Sequence, residues 1–130
     1  MEGHNPFALI GKTILITGGA GGIGSAVATV CVNMGARVVL TDIREDALQS
    51  MLASLPESQT GETHLAIAAD LTDAVQLATL VESCPQLDGV VLNAGVMKLT
   101  LTQFITEEER TRIQKVNLNA PILLTRSLLK

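Results

Sequence analysis

Eight residues from Thr17 to Gly24, Thr-Gly-Gly-Ala-Gly-Gly-Ile-Gly, have the types and spacing to hold a phosphate. Glycine lets the backbone turn through conformations closed to other residues and keeps side chains clear of an approaching anion. The run follows the apolar Thr13-Ile14-Leu15-Ile16, and a helical pattern starts at Ile23. Strand, glycine-rich turn and helix together aim the free N–H groups and positive dipole end of the helix at one point. Other polar positions can act with the turn. Asp42 ends an apolar run 18 residues after Gly24, where a carboxylate can accept both hydroxyls of an adenosine ribose and repel an additional phosphate. Arg44, two residues on, can soften that repulsion. Asp70-Leu71-Thr72 ends a third apolar run and offers a carboxylate beside the place of an adenine. Asn93-Ala94-Gly95 ends a fourth, and its small residues leave room for a flat ring. Each position has a plainer alternative: a tight turn without ligand, a helix cap for Asp42 or Asp70, an ordinary strand end for Asn93.

Asn117 is polar within an apolar helical stripe, so it needs a partner or a purpose. Pro121, four residues later, cannot donate to the Asn117 carbonyl and its ring pushes that carbonyl aside. The helix is expected to kink there and leave the oxygen free. The alternative is a buried Asn bonded among packed helices.

These residues need elements to position them. Ile14-Leu15-Ile16, Val38-Val39-Leu40, Leu65-Ala66-Ile67-Ala68 and Val90-Val91-Leu92 read as short strands buried on both faces. Amphipathic helices lie between them, with stripes at Ile23, Val27, Val30 and Met34, at Leu48, Met51, Leu52 and Leu55, and at Ala74, Leu77, Ala78 and Val81. Gly35 closes the first helix, and Thr72 or Asp73 caps the third. The longest loop is read at Pro56 to Thr63. A last helix runs from about Glu107 onward with Ile113, Val116, Asn117, Ala120 and Leu124 inward. Right-handed crossovers turn this alternation into an α/β, doubly wound parallel sheet of order 3-2-1-4, in one domain over residues 1–130. The sheet is expected to be truncated, because nothing beyond the last helix supplies a fifth strand. The outer edge of the fourth strand, about Asp88 to Asn93, and the last helix are therefore expected to self-associate.

Composition narrows the function classes. A chain of 130 residues with 47% apolar side chains can build a core. A net charge of −4 without a basic cluster argues against nucleic acid as a partner. No apolar stretch is long enough to cross a bilayer, and the first residues lack a charged-then-apolar signal pattern. Cys31 and Cys84 sit in unrelated segments, which predicts neither disulfide nor metal site and fits a reducing cytoplasm. His4, His64 and both cysteines read as ordinary residues rather than catalysts.

Together these positions resemble the N-terminal half of a short-chain dehydrogenase/reductase, over essentially the whole chain. Phe7, Leu9, Gly11 and Lys12 match the family's lead-in to its first strand. The glycines also fit a general dinucleotide fingerprint through Gly19, Gly21 and Gly24, and the sugar-nucleotide epimerase branch through Thr17, Gly18, Gly21 and Gly24. Thr17, Gly18, Gly22 and Gly24, with Asn93-Ala94-Gly95, favour the shorter dehydrogenases. The resemblance implies a Rossmann-type fold and NAD as cofactor, NADP less readily. The glycine turn and Ile23 would meet the pyrophosphate and nicotinamide side, Asp42 and Ile43 the ribose, and Asp70 and Leu71 the adenine, while Asn93, Ala94 and Gly95 line the site. It further implies a cytoplasmic oxidoreductase passing hydride between the cofactor and a small alcohol or ketone. Asn117 would belong to a catalytic Asn-Ser-Tyr-Lys set, its carbonyl holding a water in the proton relay. No tyrosine occurs in the sequence, so this chain alone is expected to be inactive. The alternative from another class is a non-catalytic dinucleotide-binding or interaction module.

Overall fold

The computed structural model of the chain describes residues 5–130, which leaves His4 outside the described residues. Four parallel strands alternate with helices: β1 (Thr13–Thr17), α1 (Gly22–Asn33), β2 (Arg37–Asp42), α2 (Glu45–Ser54), β3 (Leu65–Ala68), α3 (Ala74–Ser83) and β4 (Gly89–Val91). A 3-10 turn (Thr102–Phe104) leads to α4 (Glu107–Gln114), a π turn (Lys115–Asn119) and α5 (Ala120–Leu128). The strand order is β3-β2-β1-β4, as expected. In register, Ile14 to Ile16 of β1 stand beside Val38 to Leu40 of β2 on one side and Gly89 to Val91 of β4 on the other.

Alternation along the strands builds a core on each face of the sheet. Leu15 and Val39, with Val90 and Ile67 beside them, pack against Leu77, Leu80 and Leu124 from α3 and α5. Ile16, Val38 and Leu40 pack against Ala28, Val32 and Leu48 from α1 and α2. The central strands are buried on both faces, whereas the edge strands β3 and β4 are mostly half-buried. Asp88 pins β4 to β1, accepting from Thr13 N at 2.8 Å and from Lys12 Nζ at 3.1 Å. Gly35 ends α1 with φ +98°, a left-handed residue just past the helix.

Several helix faces differ from the hydrophobic reading. In α1 the inward residues are Gly24, Ala28 and Val32, while Ile23 and Val30 face out. The small residues let this helix press closely onto the sheet, and that close approach decides the face. In α3 Leu77 and Leu80 are inward while Ala74 and Ala78 are exposed, and Asp73 rather than Thr72 is the cap, accepting from Val75 N and Gln76 N. The expected single last helix is broken by the π turn, where Ala120 N donates to Lys115 O. The extra residue per turn rotates the stripe, so Ala120 and Leu124 are buried but Asn117 is exposed. The longest segment without strand or α-helix is not Pro56 to Thr63 but residues 92–106.

Candidate functional site

The carboxyl ends of all four strands open onto one cavity of about 970 Å³. Its floor is the turn between β1 and α1. Gly18 takes φ +66°, and a Cβ there would meet Ala94 Cα and Asn93 Nδ2, each at 3.0 Å. At Gly24 a Cβ would overlap the Gly18 carbonyl oxygen, so only glycine lets α1 start directly on the turn. At Gly22 a Cβ would meet nothing within 4 Å, because that position faces the open cavity. The first N–H groups of α1 lack intrahelical acceptors. Gly21 provides no side-chain cap and the first turn carries no acidic residue. An anion at this end would find free donors, which fits a pyrophosphate.

Two side chains lock the strand ends around this floor. Thr17 Oγ1 accepts from Asn93 N and Ala94 N, both at 3.0 Å, and donates to Val91 O. Asn93 Nδ2 donates to Thr17 O at 3.1 Å and Gly18 O at 3.3 Å. Both groups are committed within the protein. Thr17 and Gly24 are buried and lie behind the wall, whereas Gly18, Gly22, Ile23, Asp42, Ile43, Asp70, Leu71, Asn93, Ala94 and Gly95 line the cavity. Ten of the twelve expected binding residues therefore converge on one space.

Asp42 ends β2 with its side chain 6% exposed. Its Oδ2 accepts from Ala20 N at 3.1 Å, and its Oδ1 from Arg44 N at 3.0 Å and Arg44 Nε at 3.2 Å. Burial pushes this carboxyl up, but hydrogen bonds from the Arg44 side chain and from the Arg44 and Ala20 backbones outweigh it and hold the group below its ordinary range. Asp42 is not the cap of α2, which starts after Arg44 without a side-chain cap. Asp70 Oδ1 accepts from Thr72 Oγ1 at 2.7 Å and Thr72 N at 2.9 Å. The Thr72 hydroxyl and N–H lower its pKa, with a smaller contribution from the Arg112 charge. Asp70 Oδ2 carries no bond among the described residues and remains free to accept.

The opposite wall escaped the sequence reading. Glu107, Glu108, Thr111, Arg112, Lys115 and Val116 face the cavity from α4 and the π turn. They recur at helical spacing, but they are mostly polar, and a search for apolar stripes passes over them. Asn117 does not line the cavity. Its side chain grips the residues after β4, with Oδ1 accepting from Val96 N and Nδ2 donating to Val96 O, both at 2.8 Å. That answers the question of its partner: it is neither buried nor bonded within a bundle. His64 fastens the loop before β3, with Nδ1 accepting from Val38 N at 3.1 Å and Nε2 facing Pro56 O at 2.9 Å, far from the cavity. No cluster of metal-ligating side chains occurs among the described residues, and no described helix is long and apolar enough to cross a membrane.

Known proteins share this fold. The chain is 33% identical over 122 residues to a 3-oxoacyl-(acyl-carrier-protein) reductase of Rickettsia felis, covering 94% of this chain and 48% of that protein. Among solved structures, a 3-ketoacyl-(acyl-carrier-protein) reductase from Brucella melitensis complexed with NADH superposes with a TM-score of 0.83 at 31% identity, covering 93% of this chain and 50% of that one. A blue fluorescent protein from a metagenomic library, in complex with NADPH, gives 0.82 at 26% identity, covering 93% and 51%. The chain thus spans about half the length of these relatives. The short chain dehydrogenase family model matches residues 12–130, and the chain belongs to that family.

Proposed function

We propose that residues 1–130 form one dinucleotide-binding domain, and that the protein containing it is an NAD(P)-dependent oxidoreductase acting on a small alcohol or ketone. The observation that carries this reading is the cavity at the strand ends, with a side-chain-free turn and an uncapped helix start on one side and two acceptor carboxylates on the other. Gly18, Gly22 and Ile23 hold the pyrophosphate. Asp42 with Ile43 holds the adenosine ribose, and Asp70 with Leu71 the adenine. Asn93, Ala94 and Gly95 form the wall beside the reacting ring. Thr17 and Gly24 act from behind, by fixing the shape of the turn. The bound dinucleotide supplies the hydride. Asn117 anchors the segment after β4, and its carbonyl holds a water for the proton path. By analogy with the reductases it resembles, a 3-oxoacyl thioester is the first substrate class to try.

Asp42 favours NAD(H), because a ribose 2′-phosphate would stand against its charge, by about ten-fold. General acid–base groups contribute typically about 10²–10⁴-fold, and the sequence has no tyrosine to act as one. The 130-residue chain therefore binds cofactor without turnover. Calorimetric titration with NAD+ and NADP+, and NADH absorbance with a panel of ketones, test both statements. Absence of binding to either cofactor would leave only an interaction module. Vigorous turnover would place the acid–base group elsewhere. The free outer edge of β4, with Leu118 and Ile122 exposed on the last helical stretch, supports self-association of the isolated chain.

A further inference from the structure

We propose that residues 97–116 form a flap that closes on the bound dinucleotide and lays Arg112 over its adenine, from the side opposite Asp70 and Leu71. The inference rests on the dinucleotide reading of the cavity. The stretch leaves the body after Val96 and returns at Asn117, and the two bonds between those residues, both 2.8 Å, close its base. Apart from that base and the helical bonds that run on through the π turn, no hydrogen bond or ion pair joins it to other described residues. None of its residues is buried, and Met97 and Leu99 are almost wholly exposed. A segment with so little packing against the body opens at small free-energy cost.

Inside, the stretch is braced. Lys98 Nζ meets Glu109 Oε1 at 2.6 Å, which ties the incoming arm to α4. A capping box holds the start of α4, with Thr106 Oγ1 accepting from Glu109 N at 3.1 Å and Glu109 Oε2 from Thr106 N at 3.0 Å. Many bonds within and few bonds out are what a part needs to move as one unit, and the π turn supplies its hinge. The side facing the cavity carries Arg112, which has no ion pair or side-chain hydrogen bond among the described residues. Glu107 is taken by Arg110, so Glu108 is the opposing charge on that side. The Arg112 charge reaches Asp70 and lowers its pKa, which sets the guanidinium across the cavity from the adenine site. A guanidinium is planar and weakly hydrated, and it stacks on aromatic rings. With adenine bound to the Asp70 side, the unpaired Arg112 gains a partner only by approaching it, and that approach carries the flap inward.

Hydrogen-exchange mass spectrometry of the whole chain, with and without saturating ADP-ribose, reads the closure directly. Exchange over residues 107–116 should slow by about two- to five-fold, the range of an exposed cation–π contact, while α3 exchanges as before. Arg112→Gln should abolish that slowing and weaken ADP-ribose by the same factor in calorimetric titration, with thermal melts verifying the fold. The loss of affinity should persist at about 1 M salt, where a general charge effect is screened. A loss that vanishes at high salt would reduce Arg112 to a general positive charge and overturn the stacked contact. Slowing that survives in Arg112→Gln would equally overturn it. If the unsubstituted chain does not bind ADP-ribose, the reading of the cavity falls and the flap with it. Binding without slower exchange in α4 removes the flap alone.

Discussion

Replacing Gly24 with alanine separates the shape of the turn from its chemistry. The added Cβ would overlap the Gly18 carbonyl oxygen and come within 2.8 Å of both Gly18 C and Asn93 Nδ2. Two of those atoms are backbone, and the third belongs to the side chain that ties β4 to β1, so no flexible group can give way cheaply. Overpacking of this kind costs about 1–3 kcal/mol. Alanine in place of glycine inside a helix returns up to about 1 kcal/mol. At the first helical turn that gain is at its smallest, so a net loss of about 2 kcal/mol is expected. For a chain of this length, 1 kcal/mol corresponds to roughly 4 °C, so the melting midpoint should fall by roughly 8 °C. Gly22→Ala is the matched control. The same methyl meets nothing within 4 Å there, so stability holds or rises, but it projects into the cavity and dinucleotide affinity falls. Circular-dichroism melts and calorimetric titration on both variants read the two effects. If Gly24→Ala melts with the unsubstituted chain, the close contact between α1 and the glycine turn is not what fixes this residue. A Gly22→Ala chain with unaltered affinity would show that the open space is not the phosphate site.

Three further outcomes follow from the same structure. Asp73→Ala removes the acceptor for Val75 N and Gln76 N at the start of α3, and should cost about 1 kcal/mol in urea unfolding; an unchanged midpoint would deny the cap. The carboxyls of Asp42 and Asp70 lie below their ordinary range in the folded chain, so the stability they contribute is complete at neutral pH and is lost as pH falls below about 4. Urea midpoints across pH 3–7 test this, and a decline beginning near neutrality would assign acid unfolding to other groups. Self-association is best probed with Leu118→Lys and Ile122→Lys together, since Val91 packs into the core and a charge there would unfold rather than dissociate the chain. Light scattering should show a smaller species for the double variant, whereas equal mass would free that helix of the role.

How much was legible follows from what each segment answers to. β3 was read end to end, from Leu65 to Ala68, because an apolar run between polar turns admits one pairing. The order of the four strands follows from chain connectivity and the handedness of the crossovers. Gly35 was legible because a left-handed helix end is a local requirement. The inner face of α1 was not, since apolar periodicity favours Ile23 and Val30. The sheet instead takes the face with the smallest side chains, Gly24 and Ala28. The choice depends on how near the helix must come to Gly18, a distance set by tertiary contacts and invisible in one segment.

The same limit divides the site. The wall made by strand ends was readable because Asp42, Asp70 and Asn93 each follow an apolar run, and a parallel sheet collects such positions at one edge. The wall made by α4 and the π turn was not, because its cavity face is polar and therefore resembles a solvated surface. Asn117 lies on the boundary between the two. The polar residue in an apolar stripe and the proline after it marked an irregularity, and a π turn stands there. The sequence could not say that the irregularity turns Asn117 outward to hold both backbone groups of Val96. That contact joins the helix-side wall to the strand-side wall just beyond Gly95. On the proposed reading of the cavity, that contact would make the Asn117 side chain a positioning group. Asn117→Ala should therefore lower dinucleotide affinity, as read by calorimetric titration. Unchanged affinity in that variant would deny the Asn117 side chain this positioning role.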